Sequence, residues 1–107
     1  MRAGEIQQIV RAGQRLRTAH CDVRVGASLV RLGRVGIVVP KFGRTAVARN
    51  RVKRRLGELV RRELLAHLGT CDVLIRARPE AYKATFEQLR DDVRNIRLRV
   101  AVRSSDH

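Results

Sequence analysis

Between Lys41 and Arg62 the chain carries nine basic residues, Lys41, Arg44, Arg49, Arg51, Lys53, Arg54, Arg55, Arg61 and Arg62, against a single acid, Glu58. Interleaved with them, Val52, Leu56, Leu59 and Val60 recur at helical spacings. Only an α-helix gathers that apolar set into one stripe, and the stripe has to face a core, so most of the cations are forced onto the opposite, wet arc. The fold must therefore be built around a helix with a basic back. Thr45 is placed to cap it, the helix is expected to run to about Leu68, and Gly69 supplies the stop.

The remaining elements follow from shorter patterns. Gly4 to Ala12 places Ile6, Ile9 and Val10 on one face of a short amphipathic helix closed by Gly13. Ala19 to Val25 alternates, with Cys21, Val23 and Val25 on one side and His20, Asp22 and Arg24 on the other, which predicts a strand with one polar, exposed face. Arg34 to Val39 repeats the alternation until Pro40, and Asp72 to Arg78 does so until Pro79, with Val73, Ile75 and Ala77 inward. Thr85 and Gln88 form a capping box ahead of Phe86, Leu89, Val93, Ile96 and Val100, which recur at helical spacings. The expected order is helix-strand-strand-helix-strand-helix, an α/β two-layer sandwich with the helices mainly on one face of a small sheet.

Composition narrows the function. With 24 Lys and Arg against 10 Asp and Glu, the formal charge is +14, the balance of a nucleic-acid binder. Arginine dominates, and its planar fork suits phosphate oxygens better than an ammonium does. The 107 residues, 44% of them hydrophobic, suffice for one domain with one modest core. Cys21 and Cys71 are too few for a disulfide framework, and neither a signal-peptide run nor a membrane-length span is present. A cytoplasmic protein that binds no membrane is expected.

The basic helix also contradicts its own electrostatics. Arg44, Arg49 and Arg51 lie at or within its first two turns, where the helix dipole is positive and cations are mildly destabilising. A bound anion would reverse that sign by taking the exposed backbone N–H groups and the guanidinium forks together. An ordinary solvated charged face would not select cations there.

These residues resemble the bacterial ribonuclease P protein family. The signature is Arg49-Asn50-Arg51, followed by Val52-Lys53-Arg54-Arg55-Leu56; upstream stand Arg34 to Val39, Lys41 and Ala46-Val47, and downstream Asp72 to Arg78, so that the likeness runs from about Gly4 to Asn95. Three blocks in order at matching separations are far more specific than one Arg-Asn-Arg triplet. The resemblance implies a single RNA-binding domain over residues 1–107 with a left-handed strand-helix-strand crossover, an exception to the usual hand. It implies the protein subunit of an endoribonuclease that removes the 5′ leader from precursor tRNA, with the catalytic centre in the RNA subunit.

By position, Arg49, Asn50, Arg51, Lys53, Arg54 and Arg55 would meet the RNA subunit, while Ile6, Val10, His20, Asp22 and Arg24 would line a cleft for the single-stranded leader. No cofactor or metal bound tightly by the protein is implied, although the holoenzyme would need Mg²⁺. The partners implied are the catalytic RNA and precursor tRNA, not DNA. Where relatives often carry aromatic cleft residues, this chain has Ile6, Val10 and Arg24, and Phe42, Tyr82 and Phe86 are its only aromatics, so stacking is expected to contribute little. It also begins without the basic arm of many relatives, and Gly57 interrupts the long helix.

Other chemistry is thin. His20, Cys21, His67 and Cys71 have donor types that suit zinc but lack finger-like spacing, and read better as buried thiols and surface imidazoles. Asp91 and Asp92 read as decoration of a solvated helix face. The alternative function is another small basic RNA-binding protein, such as a ribosomal protein; a helix-turn-helix DNA reader would need a second helix where this chain has a strand ending at Pro40.

Overall fold

The computed structural model describes residues 13–28 and 32–105. Strands β1 (Gln14–Arg17), β2 (Cys21–Ala27), β3 (Val35–Val38) and β4 (Cys71–Ala77) form one sheet in the order β1-β2-β4-β3. β1 and β2 make an antiparallel hairpin, β2 pairs antiparallel with β4, and β3 lies parallel to β4. A parallel pair needs a long crossover, and α1 (Ala46–Glu63) provides it. α2 (Phe86–Ser105) follows β4.

Both helices pack on the sheet face that carries Cys21, Val23, Val25, Val73, Ile75 and Ala77, which is the two-layer sandwich expected. Val52, Leu56, Leu59 and Val60 of α1 meet Leu89, Val93, Ile96 and Val100 of α2 in the same core, all of them buried. The caps form as read. Thr45 Oγ1 accepts from the Ala48 N–H at 3.1 Å, the Thr85 N–H donates to Gln88 Oε1 at 2.9 Å, and the Gln88 N–H donates to Thr85 Oγ1 at 3.1 Å.

Apart from one expectation that falls on residues not described, two differences from the sequence reading have physical causes. The helix expected over Gly4 to Ala12 lies outside the described residues. β1 has only Leu16 as an apolar residue and so carries almost no local signal; it forms because β2 offers it a ladder, with Leu16 opposite Val23. α1 stops at Glu63, short of Leu68, and gives way to a 3₁₀ turn over Leu65–His67. The tighter turn keeps Leu64 and Leu68 buried while redirecting the chain into β4. Gly33 lets β3 begin against this corner, since a Cβ there would sit 2.5 Å from Leu68 Cβ and 2.7 Å from the Cys71 carbonyl oxygen.

Candidate nucleic-acid interface

Ion pairing divides the cations into two groups. Arg61 and Arg62 hold Glu58 at 2.6 and 2.7 Å, Arg94 and Arg97 hold Glu63 at 3.1 and 3.2 Å, and Arg78 holds Glu80 at 3.0 Å. The hydrogen bond from Arg61 holds the Glu58 carboxyl below its usual range, and that from Arg94 does the same for Glu63. Arg51, Lys53 and Arg54 are exposed and make no ion pair among the described residues, and the first turn of α1 contains no acid. The carboxylates thus neutralise the C-terminal end of α1 and leave its N-terminal half uncompensated.

The other signature residues are placed differently. Asn50 is exposed beside Arg51. Arg49 is half-buried and donates its Nε–H to the Val39 carbonyl at 2.8 Å, tying the helix start to the end of β3. Arg55 is half-buried and donates to the Ala84 carbonyl at 3.4 Å. Each guanidinium keeps further N–H donors for a ligand.

The second basic surface is the sheet face opposite the helices. Register places Arg17, Asp22, Arg76 and Val38 in one row across the four strands, and Arg15, Arg24, Leu74 and Gly36 in the next. Asp22 is taken by Arg17 at 2.9 Å. Arg15 and Arg24 are direct cross-strand partners, and like charges so placed repel unless an anion lies between or above them. Arg15, Arg17 and Arg76 were missed as site residues in the sequence. The signal available was the Arg15-Leu16-Arg17 alternation and the outward set of the strand that ends at Pro79.

Asp22 and Arg24 therefore stand on the expected face, half-buried. His20 does not belong with them. It lies in the β1–β2 turn, outside the ladder, where its backbone N–H and Nδ1 reach Asp92 Oδ2 at 3.0 and 2.9 Å. Strand alternation does not extend into a turn, and α2 draws the imidazole toward the helix layer. The reading of Asp92 as solvated decoration is overturned with it, since the side chain is 4% exposed. Ile6 and Val10 lie outside the described residues.

Elsewhere the polar groups are structural. Asp72 is buried and accepts from the Arg34 backbone N–H and guanidinium, each at 3.0 Å. Burial, reinforced by Asp92, pushes the Cys21 thiol up to about 12. Cys21 pairs with Ala77 at one end of the β2–β4 ladder and Cys71 with Ala27 at the other, roughly 20 Å away at ~3.4 Å per residue, so the four residues weighed for zinc do not converge. No three His, Cys, Asp or Glu side chains among the described residues could hold a metal ion together, and no helix there is long and apolar enough to cross a membrane.

Comparison with known proteins places the chain in a family. A family model described as Ribonuclease P matches residues 1–101. The ribonuclease P protein component of Kocuria rhizophila is 38% identical over 86 residues, 80% of this chain and 76% of that protein. The component from Thermus thermophilus is 52% identical over 65 residues, 60% of this chain, and the match spans only 38% of that longer relative. In fold, the RNase P protein of Staphylococcus aureus gives a TM-score of 0.80 at 24% identity, covering 94% of this chain and 92% of that one. The RNase P protein from Thermotoga maritima gives 0.79 at 23%, covering 92% and 94%. The chain belongs to the ribonuclease P protein family.

Proposed function

Proceeding from membership of that family, we propose that this chain is the RNA-binding subunit of a bacterial, cytoplasmic ribonuclease P, and that it assists removal of the 5′ leader from precursor tRNA. The observation that carries the reading is the uncompensated set Arg51, Lys53 and Arg54 in the N-terminal half of α1, in a protein where Arg61, Arg62, Arg94 and Arg97 of the helices are ion-paired. Cations with no carboxylate to answer them gain most from a polyanion, and a guanidinium fork matches phosphate. In this reading α1, through Arg49, Asn50, Arg51, Lys53, Arg54 and Arg55, grips the catalytic RNA. The sheet face carrying Asp22 and Arg24, extended by Arg15, Arg17 and Arg76, follows the backbone of the single-stranded leader.

The hydrolytic centre is assigned to the RNA, which would hold the Mg²⁺ ions that activate water and stabilise the leaving oxygen. The carboxylates best placed on this chain are otherwise engaged: Asp22 by Arg17, Asp72 by Arg34, Asp92 by His20. No tightly bound cofactor of the protein enters the reading.

The test is a pull-down of total bacterial RNA followed by reconstitution. The protein is expected to enrich ribonuclease P RNA over ribosomal RNA and duplex DNA, and to lower that RNA's Mg²⁺ requirement and KM for precursor tRNA. Preferential enrichment of ribosomal RNA, or leader cleavage by RNA-free protein, would sink the assignment.

A further inference from the structure

The chain has three aromatic residues, Phe42, Tyr82 and Phe86, and no tryptophan. Phe86 and Tyr82 pack against the core, and Tyr82 also meets Phe42 beside the start of α1. The Phe42 and Tyr82 ring centroids are 6.3 Å apart at an interplanar angle of 87°. Tyr82 is fixed by its hydroxyl, which donates to the Pro40 carbonyl at 2.5 Å, and by the Arg44 guanidinium, 5.5 Å from its ring centroid.

Phe42 is an expensive choice for its position. Its φ of 48° and Gly43's φ of 75° form a left-handed turn closed by the Arg44 N–H on the Lys41 carbonyl at 2.8 Å. A residue with a Cβ is disfavoured in that region by about 1–2 kcal/mol. Contact with Tyr82 offsets this in part, yet Phe42 stands outside the core and remains 43% exposed. Neither backbone preference nor the core selects phenylalanine here, and strain combined with exposure points toward a ligand. An edge-to-face contact occupies one face or one edge of a ring, so at least one face of Phe42 is left uncovered by Tyr82.

We infer that Phe42, braced by Tyr82 and Arg44, is a stacking platform for one unpaired nucleobase of the RNA that α1 binds. The inference rests on the RNA-binding reading above and adds to it a contact that carries no charge. Charge selects the occupant. An apolar protein segment on Phe42 would have to lie beside the exposed Lys41 and Arg44, its close neighbours in sequence, without neutralising them, whereas a nucleotide brings a π-face for the ring and a phosphate for the cations. Stacking tolerates any base, so the platform would anchor register rather than read sequence.

Phe42→Trp installs the chain's sole tryptophan and makes the site its own reporter. Transcribed ribonuclease P RNA is expected to quench its emission and shield it from acrylamide. Phe42→Leu, checked for folding by circular dichroism, is expected to lose about tenfold in affinity for that RNA with the salt slope unchanged, because no cation is removed. Phe42→Trp should hold affinity within about twofold of wild type. If wild type binds the RNA but Phe42→Leu binds equally well and Trp emission does not respond, the platform is overturned and the α1 interface stands. Quenching by precursor tRNA alone also overturns it. Failure of the wild-type protein to bind the RNA would overturn both readings.

Discussion

Asp92 Oδ2 accepts two hydrogen bonds from one residue, from the His20 backbone N–H at 3.0 Å and from His20 Nδ1 at 2.9 Å, across 72 positions of sequence. An ionised carboxylate only accepts, so the ring proton sits on Nδ1. The pair fastens the β1–β2 turn, and with it the arginine face of the hairpin, to α2. With Asp92 almost fully buried, solvent screening does not reduce it to the small value of a surface pair. Asp92→Ala should cost about 3 kcal/mol in urea unfolding, since it orphans two donors, while Asp92→Asn, which still accepts, should cost clearly less. Equal midpoints for Asp92→Ala and wild type would mean that the pair ties nothing together.

The cations of α1 should separate by their pairing. Arg51→Ala, Lys53→Ala and Arg54→Ala are each expected to weaken RNA binding and to reduce the salt slope by roughly 0.7–0.9, with little change in Tm. Arg61→Ala, whose guanidinium already holds Glu58, should change the slope less. Binding isotherms across a salt series check this, and identical slopes for all four variants would remove the N-terminal half of α1 from the interface.

On the sheet face, Arg24→Ala should narrow the affinity gap between precursor and mature tRNA by about 1 kcal/mol, the scale of one charge-assisted contact, and leave assembly with the RNA subunit intact. It should not destabilise the hairpin, because it relieves the repulsion with Arg15. Asp22→Ala frees Arg17 and removes the face's one carboxylate in that row, so the gap should widen. Unaltered discrimination in both variants would mean that the leader does not run over this face.

Gly57 lies in mid-helix, half-buried, and a Cβ there would meet nothing within 4 Å. Gly57→Ala should therefore stabilise the protein by about 1 kcal/mol through helix propensity alone. A lower Tm would reveal a need for glycine that the free protein does not display.

Cys21 provides a pH signature. Its folded-state value is raised from an ordinary 9.0 to about 12, first by burial and then by Asp92, so the native state binds the proton more tightly than the unfolded chain. The corresponding stability is complete below pH 9 and drains away as pH rises toward 12. Cys21→Ala should flatten the alkaline loss of stability, and thiol reagents should reach Cys21 only after unfolding.

Sequence alone determined whatever repeats within one element. The Val52, Leu56, Leu59 and Val60 stripe required a helix with a basic back, Thr45 and the Thr85–Gln88 pair set two helix starts, and Cys21, Val23 and Val25 chose the buried face of β2. These are local periodicities of 3.6 and 2, and the hydrophobic effect alone enforces them. Tertiary structure decided which charges remain unanswered. Glu63 reaches Arg94 and Arg97 on the other helix, Asp92 reaches His20 across the molecule, and β1 exists only because β2 supplies its partner. Phe42 and Tyr82, 40 residues apart, became neighbours in the same way. An ion pair or ring contact between distant residues depends on how helices and strands are set against one another, and no periodicity within either partner encodes that geometry.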